Sequence, residues 1–257
     1  MLRKTFYQSL LALLTASMFT SGCFFFDAAV DQAVDDSANA MAANAAAGIT
    51  APMYKSYAMG LMAAYFWAGG FWLARHAYQP GEWTSWKHEV QEAGDSKGPE
   101  QPLKVEKAFL KRNDDGSEWW RLKAMGEDAD STSVFEVLFS ADRTRIVRLL
   151  ARMGKAEISE IKFDPGEGGF AAPRALEDQW IGEHAVGTVT VASGTLSVSS
   201  NHVRFSSGAG SGNLDFFFSD DVPGGLVKYE FKSGQGDRYT VAMTAHGGGA
   251  ATELGAY

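Results

Sequence analysis

From Gly81 onward the chain is written in short runs of β-branched and aromatic residues, each soon closed by Gly, Pro, Asn, Asp or Ser. Runs that short leave no room for βαβ crossovers and fit strands that turn straight back on their neighbours. Glu82 to Gln91, Lys104 to Lys111 and Glu118 to Met125 are three of them. The last two are joined by Asn113-Asp114-Asp115-Gly116, a turn in which Gly takes positive φ. Val134 to Phe139 alternates, so Phe135, Val137 and Phe139 share one face. Lys155 to Phe163, Gly187 to Val191, Asn213 to Phe218, Gly225 to Lys232 and Arg238 to Thr244 complete the series. The expected fold class is mainly β, an antiparallel sheet.

Several stretches are less direct. Ile146, Leu149, Leu150 and Met153 have helical spacing, with Asp142 as an N-cap and Gly154 beyond the end. The competing reading pairs Asp142 to Gly154 as a strand with Val134 to Phe139, and the surrounding strands favour it. Apolar parity changes between Leu196, Val198 and Val203, Phe205, which predicts a bulge or bend near Ser200 and Asn201. Ser206 to Gly212 and Asp164 to Pro173 read as loops.

The N-terminus has a different texture. Arg3 and Lys4 precede an apolar run from Leu10 to Phe19, then Ser21, Gly22 and the chain's one cysteine, Cys23. The run is too short to span a bilayer and has the anatomy of an export signal. Thr20-Ser21-Gly22-Cys23 resembles the bacterial lipobox, with Thr20 where Leu is commoner. That resemblance implies cleavage before Cys23 and a lipid-modified (palmitate-type) N-terminus. With three acyl chains it would hold the protein on the membrane, since each buried methylene adds about 0.8 kcal/mol. Residue 24 is Phe rather than Asp, which by the enterobacterial sorting pattern implies the outer membrane. A single cysteine excludes internal disulfides.

The domain boundaries expected are a lipoprotein signal peptide over 1–22, an Ala-rich tether over 23–51, an apolar aromatic segment over 52–78 and the antiparallel β domain over 79–257. The third segment holds nineteen uncharged residues between Lys55 and Arg75. Two readings stand: a membrane span near the lower length limit, or a helix from about Pro52 to Trp67 with one face on the domain. Gly60, Gly69 and Gly70 and the mid-run Trp and Tyr favour the second.

The C-terminal third carries a second resemblance. Thr188-Val189-Thr190-Val191-Ala192-Ser193-Gly194-Thr195-Leu196 is followed by Phe217-Phe218-Ser219-Asp220-Asp221-Val222-Pro223-Gly224-Gly225-Leu226-Val227-Lys228-Tyr229. These resemble exported bacterial β-domains of unknown function with a V-x-A-G-T-F strand and an S-x-x-V-P-G-G-x-V-K hairpin. Some of those are distantly similar to the curved half-barrel of the outer-membrane lipoprotein carriers (Lol-type). The resemblance implies a curved half-barrel or open barrel and supplies no catalytic residues. From the residues themselves, Pro223 and Gly224 suit the centre of a tight turn.

Little chemistry is spelled out. His76, His88, His184, His202 and His246 show no ligand spacing, and Asp128 to Thr132 lacks the Gly and Glu of a calcium loop. No Gly-x-Ser-x-Gly elbow occurs, so no catalytic residue, metal or cofactor is expected beyond the covalent lipid on Cys23. Arg143, Arg145, Arg148 and Arg152 form a basic stretch, a candidate site for anionic groups or a solvated face balanced by Glu157 and Glu160. Trp83, Trp86, Trp119 and Trp120 are core residues or the candidate lining of an apolar-ligand site.

The net charge of −8 and pI near 5.2 argue against nucleic acid as a partner. Two of the 23 basic residues, Arg3 and Lys4, leave with residues 1–22, so the mature chain would carry −10 against its 31 acidic residues. The reading is a membrane-anchored envelope lipoprotein facing the periplasm or the exterior. It acts as a non-enzymatic binding or interaction module for a lipid or an envelope protein. The alternatives are an envelope hydrolase with a dispersed site and a purely structural envelope protein.

Overall fold

The computed structural model describes residues 51–62, 65–66, 77–91, 103–125, 132–163, 168–169, 185–207 and 210–257. The export signal, Cys23 and the tether up to residue 50 lie outside the described residues, as do His76, Asp128 and His184. The first described element is the helix α1, Ala51–Met62. Pro52 sits in its first turn, where a missing N–H costs nothing. Among the described residues no helix is long and apolar enough to cross a membrane.

Eleven strands follow: β1 Trp83–Gln91, β2 Leu103–Arg112, β3 Glu118–Met125, β4 Ser133–Phe139, β5 Ile146–Met153, β6 Ser159–Ile161, β7 Ala185–Val191, β8 Gly194–Ser207, β9 Gly210–Phe218, β10 Leu226–Ser233 and β11 Arg238–Gly247. They form one sheet in the order β6-β5-β4-β3-β2-β1-β11-β10-β9-β8-β7. Among the described residues every strand pairing is antiparallel, so the short-run reading of the sequence holds. First and last strands meet at the centre, Trp86 opposite Met243, and join two meanders into one sheet. The sheet does not close: β6 and β7 are its edges among the described residues.

The ambiguous stretch is resolved as strand, with Leu149 opposite Val137 and Ala151 opposite Phe135. Its helical spacing arises from a bulge: the register shifts between Leu138 and Phe139, which brings Ile146 and Leu149 to the same face. Similar shifts occur at Ser85/Trp86, Phe109/Lys111 and Leu226/Lys228. Two expectations are corrected. No bulge lies at Ser200 or Asn201, because β8 pairs with β9 in unbroken register from Ser199 to Ser207. In the stretch read as a loop, Ser206 and Ser207 belong to β8 and Gly210 to Gly212 to β9, with Ser206 opposite Ser211 and Ser207 opposite Gly210. Lys155 to Phe163 contributes only the three residues of β6.

The sheet is curved. Laid flat, eleven strands would span about 50 Å, whereas a twelve-residue helix is about 18 Å long. Yet α1 reaches the edge strand β6, and β7 touches β11, which lies four strands away in the sheet order. On α1, Ala58, Leu61, Met62 and, beyond its end, Tyr65 follow the i, i+3, i+4, i+7 pattern and are almost wholly buried. They fill the inner face against Trp86, Val105, Phe109, Trp120, Phe135, Phe216 and Val241. Each such large side chain contributes about 1.5–3 kcal/mol when buried.

The outer face carries a second, smaller core. The C-terminal residues cross it, burying Leu254 and Ala256 against Ala108, Leu110, Trp119, Val134 and Leu150. Glu136, fully buried on β4, accepts hydrogen bonds from the Glu253 N–H at 2.6 Å and the Thr252 hydroxyl at 2.6 Å. Arg121 pairs with both Glu106 and Glu253.

Candidate functional site

Among the described residues the inner face is largely apolar and carries a polar cluster beneath the α1 segment. Alternation on β1 turns Thr84, Trp86 and His88 inward together. His88 is buried with both ring nitrogens engaged, Nδ1 with the Tyr239 hydroxyl at 2.6 Å and Nε2 with the Tyr65 hydroxyl. Tyr239 is in turn hydrogen-bonded to Tyr229. Burial pulls the His88 imidazole from its ordinary 6.5 down to about 3, so the ring is neutral in the folded protein. A neutral ring donates through one nitrogen and accepts through the other, which orders the tyrosines on its two sides. Burial also pushes the phenols of Tyr78, Tyr229 and Tyr239 above their usual range.

On β2 the inward positions are Val105, Lys107 and Phe109, and Lys107 is the buried amine among them. Its Nζ donates to the main-chain carbonyl of Tyr65 at 3.0 Å. Among the described residues, rings stand around it with centroids 4.7 Å away at Phe66, 5.2 Å at Tyr78 and 5.4 Å at Trp120. Their faces favour the ammonium, but burial, followed by the charge of Arg143, lowers the amine from 10.5 to about 7. Tyr78 is fixed from two directions. Its hydroxyl meets Thr84 Oγ1 at 2.6 Å, and its ring lies against Gly224, where a Cβ would come within 2.5 Å of Cε2. Gly224 has φ of 74° and Gly225 N–H donates to Val222 O at 3.0 Å, so Val222 to Gly225 is the tight turn expected around Pro223.

At the β3 end of this face Glu118 accepts from Trp120 Nε1 at 2.9 Å, Arg143 Nε at 2.7 Å and Arg112 at 2.7 Å. Burial raises its carboxyl, and the Arg143 and Trp120 hydrogen bonds more than reverse that, leaving it below the ordinary value. Arg143, held at φ of 56° in its turn, also stacks over Trp120.

The four tryptophans therefore divide. Trp86 and Trp120 belong to the inner core, while Trp119 and Trp83 pack in the outer one. The four arginines divide as well. Arg143 meets Glu118. Arg148 pairs with Glu160 at 3.0 Å, donates to the Ala256 carbonyl and lies over Trp119, and Arg152 approaches Glu253 at 3.8 Å. Arg145 is exposed, its backbone bridged to Gly169. Half-buried His202 pairs across β8 and β9 with Asp215 at 2.6 Å. Among the described residues no three of His, Cys, Asp and Glu gather as they would around a metal ion.

The arrangement is rich in hydrogen-bonding groups and poor in fixed charge: a neutral imidazole, buried phenols, and an amine that loses its proton near neutrality. Such a surface suits an apolar molecule carrying a few carbonyl or hydroxyl groups. Sequence reasoning missed Tyr65, Lys107 and Tyr239 because none belongs to a spaced motif. The one available signal was a lysine in phase with Val105 and Phe109.

No family model matches the chain, and no curated protein does. Three solved structures are similar over much of it. One is a protein of Bacteroides fragilis described as exported, with a YmcC-like fold: 8% identical, covering 66% of this chain and 97% of its own, at a TM-score of 0.35. Another is a protein of Parabacteroides distasonis described as a lipoprotein: 10% identical, 66% and 97% covered, TM-score 0.32. A DUF1329 family protein of Desulfovibrio piger is 7% identical, with 68% and 87% covered and a TM-score of 0.30. Likeness this distant leaves the functional reading to the residues of the chain itself.

Proposed function

We propose that this is an envelope lipoprotein, anchored through a lipid on Cys23, whose half-open sheet binds an apolar ligand without catalysis. The ligand class is a lipid or the acyl part of a lipoprotein. The protein would sit on the outer membrane, facing the periplasm or the exterior. The supporting observation is the inner face: a large apolar surface, interrupted by the His88 and Lys107 cluster, against which α1, Tyr65 and Phe66 lie. Tyr65 joins this cover to the sheet through His88 and Lys107. An acyl chain is chemically equivalent to the side chains it would replace there, so exchange conserves buried apolar area.

The experiment uses the inner tryptophans as reporters. Titrating the full chain with a doxyl-labelled stearate should quench the fluorescence of Trp86 and Trp120 saturably, and unlabelled stearate should reverse it. Quenching that grows linearly with the probe, or that survives Trp86→Phe/Trp120→Phe unchanged, rejects the proposal. The anchor is tested separately by the mass of the mature N-terminus, where an unmodified Cys23 rejects it.

A further inference from the structure

The two edges of the sheet differ in how they are protected. Edge strands expose unpaired N–H and C=O groups and are usually blunted by shortness, charge or Pro. β6 fits that description: it is three residues long, carries Glu160 and is flanked by Glu157 and Lys162. β7 does not. It runs seven residues, Ala-Val-Gly-Thr-Val-Thr-Val, and no charged residue occurs from Ala185 to Asn201. Val186 is 89% exposed, the most exposed of the large apolar side chains described. Among the described residues nothing pairs with the outer edge of β7.

The hairpin register shows which groups face outward. Val191 pairs with Gly194 across the two residues Ala192 and Ser193, so this closing pair exchanges the main-chain hydrogen bonds with β8. Thr190 and Thr195 are the next pair, and their hydroxyls meet at 2.9 Å, as fits the close side chains of a non-hydrogen-bonded pair. The N–H and C=O groups of Val186, Thr188 and Thr190 therefore point to the free edge. Their side chains share the outer face, while Val189 and Val191 pack toward the inner core.

This edge is complementary to itself. Placed antiparallel about Thr188, Val186 falls opposite Thr190 and Thr188 opposite Thr188 of the other copy. All three pairs are then hydrogen-bonded pairs, worth about six main-chain bonds. The side chains brought together are Val–Thr and Thr–Thr, which are favourable cross-strand pairs, and no like charges meet. A head-to-tail contact with β6 would offer only three residues.

We propose that β7 is an interaction surface for a second copy of this chain, which it joins edge to edge through a two-fold axis at Thr188 to continue the sheet across both molecules. The contact uses the rim of the sheet and not its inner face, so it stands independently of the ligand proposed above.

Sedimentation velocity of the full chain in a non-ionic detergent tests it. The wild type should dimerise. Thr188→Lys and Thr188→Glu should each weaken the dimer about fivefold or more in Kd, because each places like charges opposite one another. Mixing the two variants should restore a dimer, which also shows that both are folded. A wild type that stays monomeric at every concentration, a T188K dimer as tight as the wild type's, or a mixture that fails to associate would overturn the proposal.

Discussion

Lys107 Nζ lies 3.0 Å from the main-chain oxygen of Tyr65, which ties the inner face of β2 to the chain just beyond α1. A cation placed near the end of a helix meets carbonyls that lack helical partners, so the bond has a local electrostatic reason. It also places a titratable amine in an apolar interior, with consequences that can be measured.

The first concerns pH and stability. The Lys107 amine is lowered from 10.5 to about 7 in the fold, so between those values the unfolded chain holds a proton that the folded chain does not. Stability should therefore rise with pH from about 7, approaching 1.4 kcal/mol per unit from this group. Above about 10 the buried tyrosines, whose folded pKa values are raised, reverse the trend. Lys107→Met keeps the apolar volume and should flatten that slope while stabilising the protein at pH 7. Urea melts at a series of pH values check this; equal slopes in both proteins would contradict it.

His88 acts in a lower window. Its folded value of about 3 lies below the unfolded 6.5, so stability should fall as pH drops from 6.5 toward 3. His88→Gln should lessen this acid sensitivity, at a cost at pH 7 of about 1–3 kcal/mol from the unsatisfied tyrosine hydroxyls. The same melts, extended to pH 4, measure both effects.

At Gly224 the prediction is steric. A Cβ there would sit 2.5 Å from Tyr78 Cε2, at a φ of 74° that side chains rarely adopt. Gly224→Ala should destabilise the domain by about 2 kcal/mol or more through strain and overpacking combined. Because Tyr78 must move, Lys107 loses one of its rings. Thermal unfolding of the variant tests the loss.

The C-terminal crossing should behave as part of the fold and not as a tail. Glu136→Ala leaves the Glu253 and Leu254 N–H groups and the Thr252 hydroxyl without their acceptor. A cost of about 2–3 kcal/mol is expected, with new sensitivity to carboxypeptidase. Resistance equal to the wild type's would show that the outer core holds the segment unaided.

Much of the sheet is legible in the sequence because alternation and turn residues are local signals. The hairpin around Asn113 to Gly116 and the Pro223-Gly224 turn are both found where those residues place them. Of the bulge or bend expected near Ser200 and Asn201, the bulge is absent because apolar spacing does not report pairing. Here the pairing is continuous and only burial changes, Val198 and Asn201 being buried with two half-buried serines between them. The four tryptophans take the core reading, divided between two faces because Trp119 and Trp120 are adjacent on one strand and so face opposite sides. The polar cluster was illegible because Tyr65, His88, Lys107 and Tyr239 come from four elements that only the curved sheet brings together. The outer core was missed because residues 248–257 carry no strand pattern, and their place depends on Glu136, a buried acid in an otherwise apolar run.

If the inner face takes an apolar ligand, the protein should leave the cell with one bound. Native mass spectrometry of the full chain, released gently from membranes of the cells that make it, tests this most directly. A lipid-sized adduct beyond the covalent anchor is expected, lost on collisional activation and diminished by Trp86→Ala/Trp120→Ala. A bare protein mass under conditions where a known lipid-binding protein keeps its ligand would contradict it.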